Sequence, residues 1–144
     1  MAVKPIPDGY HSVTPYLVVR GVDRLLGFLK QAFGAEEIER VTGPDGNIRH
    51  AEARLGDSVV MMGEASAEHT QMPACLYLYV TDTDATYRRA IEAGATSIRE
   101  PADQFYGDRS GGVKDAFGNQ WWIATHKEDV SREEMARRAG AAAR

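Results

Sequence analysis

The chain states one pattern twice, and that constrains its fold more than any local motif. Residues 23–40, Asp23-Arg-Leu-Leu-Gly-Phe-Leu-Lys-Gln-Ala-Phe-Gly-Ala-Glu-Glu-Ile-Glu-Arg, are echoed by residues 84–100, Asp84-Ala-Thr-Tyr-Arg-Arg-Ala-Ile-Glu-Ala-Gly-Ala-Thr-Ser-Ile-Arg-Glu. In each copy a Gly-Ala pair (34/35 and 94/95) is followed, four residues after the glycine, by an isoleucine (Ile38, Ile98) in a charged, strand-like segment. Self-similarity on this scale implies two copies of one supersecondary unit.

The elements around the first copy follow from periodicity and turn chemistry. Residues 13–19 (Val-Thr-Pro-Tyr-Leu-Val-Val) are β-rich, and Pro15, which lacks a ladder donor, suits an edge or a bulge. From 22 to 33 the apolar residues Val22, Leu25, Leu26, Phe28, Leu29, Ala32 and Phe33 recur at helical spacing, with Gly34 just past the end. Strands are predicted at 37–42, 47–55 and 58–62, separated by turns at Gly43-Pro-Asp-Gly46 and Gly56-Asp57. This is a βαβββ module over about residues 10–64. Residues 64–73 are polar, end in proline and read as a linker.

The second module, about 74–126, repeats the order. It has a strand at 75–80, a helix at 84–93 ended by Gly94, a strand at 97–100, a long Gly-rich loop at 101–112, and a hairpin through Gly118-Asn119 into a strand at 120–125. Ser131-Arg-Glu-Glu134 is a capping-box pattern that opens a C-terminal helix over about 131–140, a surface or dimer element. The expected fold class is therefore α+β: two βαβββ modules in one domain spanning 1–144, followed by that helix.

Composition narrows the function. At 144 residues, 43% hydrophobic and 26% charged, the chain is ordinary globular protein, and one domain is the expected count. A net charge of −4 with scattered Lys and Arg argues against nucleic acid and anionic membrane partners. No apolar run approaches the roughly 20 residues of a membrane span, and Met-Ala-Val-Lys-Pro-Ile-Pro lacks a signal-peptide core. With a single cysteine, Cys75, which cannot form an internal disulfide, the expectation is a cytoplasmic protein.

The doubled module, the Val-rich strand leading into a helix that ends Phe-Gly-Ala, and the closing Asp115-Ala-Phe-Gly-Asn-Gln-Trp-Trp-Ile together resemble the vicinal oxygen chelate superfamily. That superfamily includes glyoxalase I, bleomycin-resistance proteins, fosfomycin-resistance enzymes and extradiol dioxygenases. The resemblance covers about residues 10–126 and points to a glyoxalase-like bacterial branch. It implies a concave sheet whose metal ligands come from the first and last strands of each module. Carried onto this chain, the first-strand positions are Thr14 and Cys75, the last-strand position of module two is Trp122, and that of module one falls within 60–62. Zinc, nickel, iron and manganese sites want imidazole and carboxylate, and these positions offer a hydroxyl, a thiol, an indole and Val or Met. The usual metal site is expected to be absent, and no cofactor is implied.

Strand alternation indicates what stands there instead. Val13, Leu17 and Val19 are expected to pack on helices, leaving Thr14 and Tyr16 on the other face. Leu76, Leu78 and Val80 pack, leaving Cys75, Tyr77 and Tyr79; Trp121 and Ile123 pack, leaving Trp122. Ala51, Ala53 and Leu55 form an apolar face, so His50, Glu52 and Arg54 point away from it. The candidate ligand-binding set is thus Thr14, Tyr16, Met62, Cys75, Tyr77, Tyr79 and Trp122, joined from the Gly-rich loop by Tyr106 and Arg109. Such a wall suits a planar or amphipathic organic ligand. The same residues have plain readings: a solvated strand face for His50, Glu52 and Arg54, a packed or dimeric sheet for Tyr77 and Tyr79, a small buried hydrophobe for Cys75, surface positions for His11 and His126, and a local Asp108–Arg109 brace in the loop.

Two function classes remain open. One is a homodimeric small-molecule-binding protein of the bleomycin-resistance kind that sequesters an aromatic or antibiotic-like compound without metal. The other is a small lyase or isomerase that uses His50, Glu52 or Glu64 as acid or base, with or without a nonstandard divalent metal held by Glu64 and His50.

Overall fold

A computed structural model describes residues 2–142, which divide between Ala74 and Cys75 into two compact units. The first unit runs β1 (Tyr16–Val19), α1 (Val22–Phe33), β2 (Glu36–Thr42), β3 (Ile48–Leu55) and β4 (Ser58–Glu64). Its sheet has the order β1-β4-β3-β2, with β1 parallel to β4 and the other pairs antiparallel. Helix α1 packs on one face because Leu25, Leu26, Phe28, Leu29 and Ala32 form its buried stripe, and Leu17, Val19, Ala51, Ala53 and Met62 are buried with it. Gly34, at φ 66°, ends the helix in the left-handed region where glycine carries no steric penalty. At the other end the cap residue is Gly21, which has no side chain to offer. The carboxylate of Glu64 fills that role, accepting from the amides of Gly21 (3.0 Å) and Val22 (3.1 Å).

The second unit repeats the plan with β5 (Cys75–Tyr79), α2 (Thr83–Glu92), β6 (Thr96–Asp103), β7 (Asp108–Lys114) and β8 (Gln120–His126), then adds α3 (Arg132–Ala142). Its sheet order is β5-β8-β7-β6, again with one parallel pair, β5 and β8. Asp82 caps α2 by accepting from the amide of Ala85 at 3.1 Å. The β7–β8 turn is organised by Asp115, 5% exposed, whose carboxylate accepts from the amides of Phe117 and Asn119, the side-chain amide of Asn119 and the indole N–H of Trp121. Both units are thus α+β, each a βαβββ arrangement with a helix on one sheet face.

Four local expectations are corrected. The first strand begins at Tyr16 rather than at 13, and Val13 is 85% exposed, so it packs on no helix. Residues 64–73 are not a free linker: the amide of Ala65 donates to Val19, that of Arg20 to the Gln71 side chain, and Met72 bridges Val18, covering the open edge of β1. The Gly-rich stretch at 101–112 is not a loop: it supplies the end of β6 and most of β7. Gly111 lies under the backbone of Arg99 and Pro101, and Gly112 lies under the ring of Trp122, so these glycines mark close approach inside a sheet. The capping box at Ser131 is half formed. Its hydroxyl accepts from the amide of Glu134 at 3.1 Å, while the Glu134 carboxylate turns to Arg137 and Arg138.

Candidate functional site

With one face of each sheet occupied by a helix, the exposed aromatic side chains lie on the other. In the second unit the strand registers align Tyr77, Trp122, Gly112 and Arg99 in one row, with Tyr79, Ala124, Ser110 and Ala102 in the next. Residues paired across strands project to the same side, so these rows build one surface. Tyr77 and Tyr79 are 45% and 60% exposed, and their ring centroids lie 5.3 Å apart in an edge-on arrangement. The ring of Trp122 lies over Gly112, the space a side chain there would fill, and the Arg99 guanidinium sits 4.9 Å from the indole centroid.

These rings are held by a buried acid. Asp108, 4% exposed, accepts from the phenols of Tyr77 (2.8 Å) and Tyr79 (3.0 Å), and its other oxygen meets His126 Nδ1 at 2.9 Å. Burial pushes the Asp108 carboxyl up, but the bonds from His126, Tyr77 and Tyr79 together outweigh it and hold its pKa below the ordinary aspartate value. Burial and the bonds to Tyr106 and Asp108 push the Tyr77 phenol well above its usual value, so it stays a proton donor. His126 is raised by its contacts with Asp129 and Asp108. The result is a pair of exposed tyrosine rings with fixed hydroxyl edges beside a part-exposed indole.

The first unit carries a smaller polar cluster on its uncovered face. Tyr16, Met61, Glu52 and Glu39 share one row. Glu52, 6% exposed, accepts a hydrogen bond from the Tyr10 phenol and lies 2.8 Å from His50 Nε2, while His50 Nδ1 is 3.1 Å from the Tyr16 hydroxyl. Burial raises the Glu52 carboxyl, but the bonds from His50 and Tyr10 more than offset this and leave it lowered; the same bond drives Tyr10 up to about 12. Beside this cluster a cavity of about 490 Å³ is bounded by Pro7, Tyr10, Thr14, Glu39, Glu52 and Met61.

Strand alternation gave the observed sheet face for several of these residues and not for others. Tyr16, Cys75, Tyr77, Tyr79 and Trp122 lie on uncovered faces, as do His50 and Glu52. Thr14 lies ahead of β1, its hydroxyl donating to the His11 carbonyl at 3.3 Å, and it reaches the first-unit cavity from there. Met62 is fully buried on the helix side; Met61, paired with Tyr16 and Glu52, is its exposed-side neighbour. Glu64 shares the buried parity of Met62 and caps α1, so it and His50 lie on opposite faces and cannot share an ion. Arg109 does not pair with Asp108, because adjacent strand residues face opposite ways. It binds Asp84 at the start of α2 (3.0 Å) and Asp103 (3.2 Å), a brace rather than a free anchor. Tyr106 sits in the β6–β7 turn, stacked edge-on with Phe105 and bonded to Tyr77. Tyr10 and Asp108 as hydrogen-bonding centres, His126 as a partner of Asp108, and Arg99 were not singled out. Alternation back from Gly112 puts Asp108 on the Trp122 side, but that required reading 108–114 as a strand.

The donor set at the family positions does not fit a divalent ion: Thr14, Cys75, Trp122 and Met61 bring no imidazole or carboxylate. Among the described residues no three His, Cys, Asp or Glu side chains are placed to hold a metal.

Comparison with known proteins agrees with the fold. The family model described as Glyoxalase/Bleomycin resistance protein/Dioxygenase superfamily matches residues 9–123. Uncharacterised proteins of Mycobacterium bovis and Mycobacterium tuberculosis are 36% identical over 135 residues, 86% of this chain and 89% and 79% of theirs. Among solved structures, TioX from Micromonospora sp. ML1 superposes with a TM-score of 0.67 at 23% identity, covering 84% of this chain and 100% of that one. The fosfomycin resistance protein FosX from Mesorhizobium loti superposes with 0.61 at 17% identity, covering 88% and 97%. At these identities the two structures speak for the fold alone.

Proposed function

Because the chain belongs to the glyoxalase/bleomycin resistance protein/dioxygenase superfamily, we propose that it is a small-molecule-binding member that holds a planar aromatic, antibiotic-like compound by stacking rather than through a metal. The observation that carries this reading is the second-unit surface. Tyr77 and Tyr79 are exposed there beside the part-exposed Trp122, and the two phenols are already fixed on Asp108. Rings whose rotamers are set before binding lose little entropy on binding, and each stacked pair adds about 0.5–1.5 kcal/mol beyond area burial. The reading includes a homodimer and a cytoplasmic location. No helix among the described residues is long and apolar enough to cross a membrane.

A thermal-stability screen of planar aromatic compounds tests the proposal. Hits are expected to raise the melting midpoint of the wild type and to lose that effect in Trp122→Ala. A panel with no stabilising member, or hits indifferent to Trp122, overturns it. One observation favours a second reading: His50 and buried Glu52 in contact beside a cavity are an acid–base pair with room for a substrate. If the protein is a lyase or isomerase, His50→Gln and Glu52→Gln each lower turnover by roughly a hundredfold or more while leaving second-unit binding intact.

A further inference from the structure

The second-unit surface carries a charge pattern that narrows the class of ligand. Arg99 is exposed on β6, and its partners are the hydroxyl of Ser110 at 3.1 Å and the face of Trp122; among the described residues it meets no carboxylate. This sets it apart from Arg40, Arg49, Arg54, Arg109, Arg137 and Arg138, each of which is paired with Asp or Glu. The row beside it aligns Cys75, Gln120, Lys114 and Thr96, so exposed Lys114 projects from the same side, two residues along β7 from Gly112. The acid on this surface, Asp108, has both oxygens taken up by Tyr77, Tyr79 and His126 and offers little to a ligand. The corresponding row of the first unit, Tyr16, Met61, Glu52 and Glu39, carries acids where this one carries a guanidinium.

We infer that the second-unit surface selects an anionic aromatic ligand, an aryl carboxylate or its equivalent, with its ring on Trp122 and Tyr77 and its acid on the Arg99 guanidinium, Lys114 adding charge. The inference rests on the stacking reading above and adds the sign of the ligand. A planar guanidinium presents two N–H groups in the geometry that a carboxylate accepts, and that of Arg99 already sits 4.9 Å from the Trp122 centroid. Because Arg99 has no acid to leave, binding costs it no ion pair.

Isothermal titration of 2-naphthoate and of uncharged 2-naphthamide against wild type, Arg99→Gln, Arg99→Lys and Trp122→Ala separates the two claims. Arg99 is exposed, so its variants are expected to fold, which circular dichroism checks. The expected result is that naphthoate binds wild type roughly tenfold or more tighter than naphthamide, that Arg99→Gln removes the difference, and that Arg99→Lys keeps part of it. If the two probes bind equally and both fail on Trp122→Ala, the inference about charge is wrong and the stacking reading stands. If neither probe binds wild type, or naphthoate binds Trp122→Ala as well as wild type, both fall.

Discussion

At the scale of single residues, the side chains that matter are acids kept ionised by neutral or cationic donors. Asp108 is buried, and truncating it removes the acceptor of three side chains, so Asp108→Ala is expected to cost about 1–3 kcal/mol in chemical denaturation and to free the rings of Tyr77 and Tyr79. The carboxyl's pKa is lowered on folding, so its contribution is present above the unfolded value near 4 and is lost as pH falls through the lower folded value. His126 works in the opposite sense. Its pKa is raised, so its contribution is complete below about 6.5 and disappears as pH rises through the folded value. The melting difference between wild type and His126→Gln is therefore expected to be largest in mild acid and to shrink toward alkaline pH. A difference that grows with pH contradicts the assignment. His126 was read as a surface residue and is exposed, but its position at the end of β8 says nothing of the acid across the ladder.

At the scale of elements, legibility followed the strength of the local signal. Helix α1 was read with its observed limits, because seven apolar residues at helical spacing and a terminal glycine agree. Strand β7 was missed because Ser110-Gly111-Gly112 has no β propensity, and its place in the sheet is set by what presses on it. Sequence reports such pressure only after the partner strand is known. The same holds for Glu64, whose acidity suggested chemistry but whose parity commits it to the α1 terminus. Glu64→Ala is expected to destabilise the protein by about 1 kcal/mol and to leave aromatic binding unchanged. Gly112→Ala is expected to do the reverse. A Cβ there would lie 2.6 Å from the Trp122 ring, so the ring shifts, the fold survives, and affinity for a stacked ligand falls by roughly tenfold.

At the scale of the whole molecule, the duplicated pattern was enough to give two βαβββ units and, with the closing Asp115–Ile123 segment, the family, while the differences between the copies set the functional reading. Tyr16 and Tyr77 are equivalent positions, yet their rows end in Glu39 and Arg99. The two units share one plan, a sheet with one helix, and their uncovered faces differ, one carrying the His50–Glu52 pair and the other Tyr77, Tyr79 and Trp122. The residues on those faces are legible by alternation; their hydrogen-bonding partners are not, because Tyr10 and Asp108 act across sequence separations of 42 and about 30 residues.

The central claim is that ligands stack on the uncovered face of the second unit, and Trp121 and Trp122 provide an internal control for it. Trp121 is buried on the helix side with its indole N–H on Asp115, whereas Trp122 lies on the uncovered side. In a ¹⁵N-labelled protein titrated with a stabilising aromatic compound, the Trp122 indole resonance is expected to move progressively to saturation while that of Trp121 stays in place. Saturable binding that leaves Trp122 unmoved would contradict the claim.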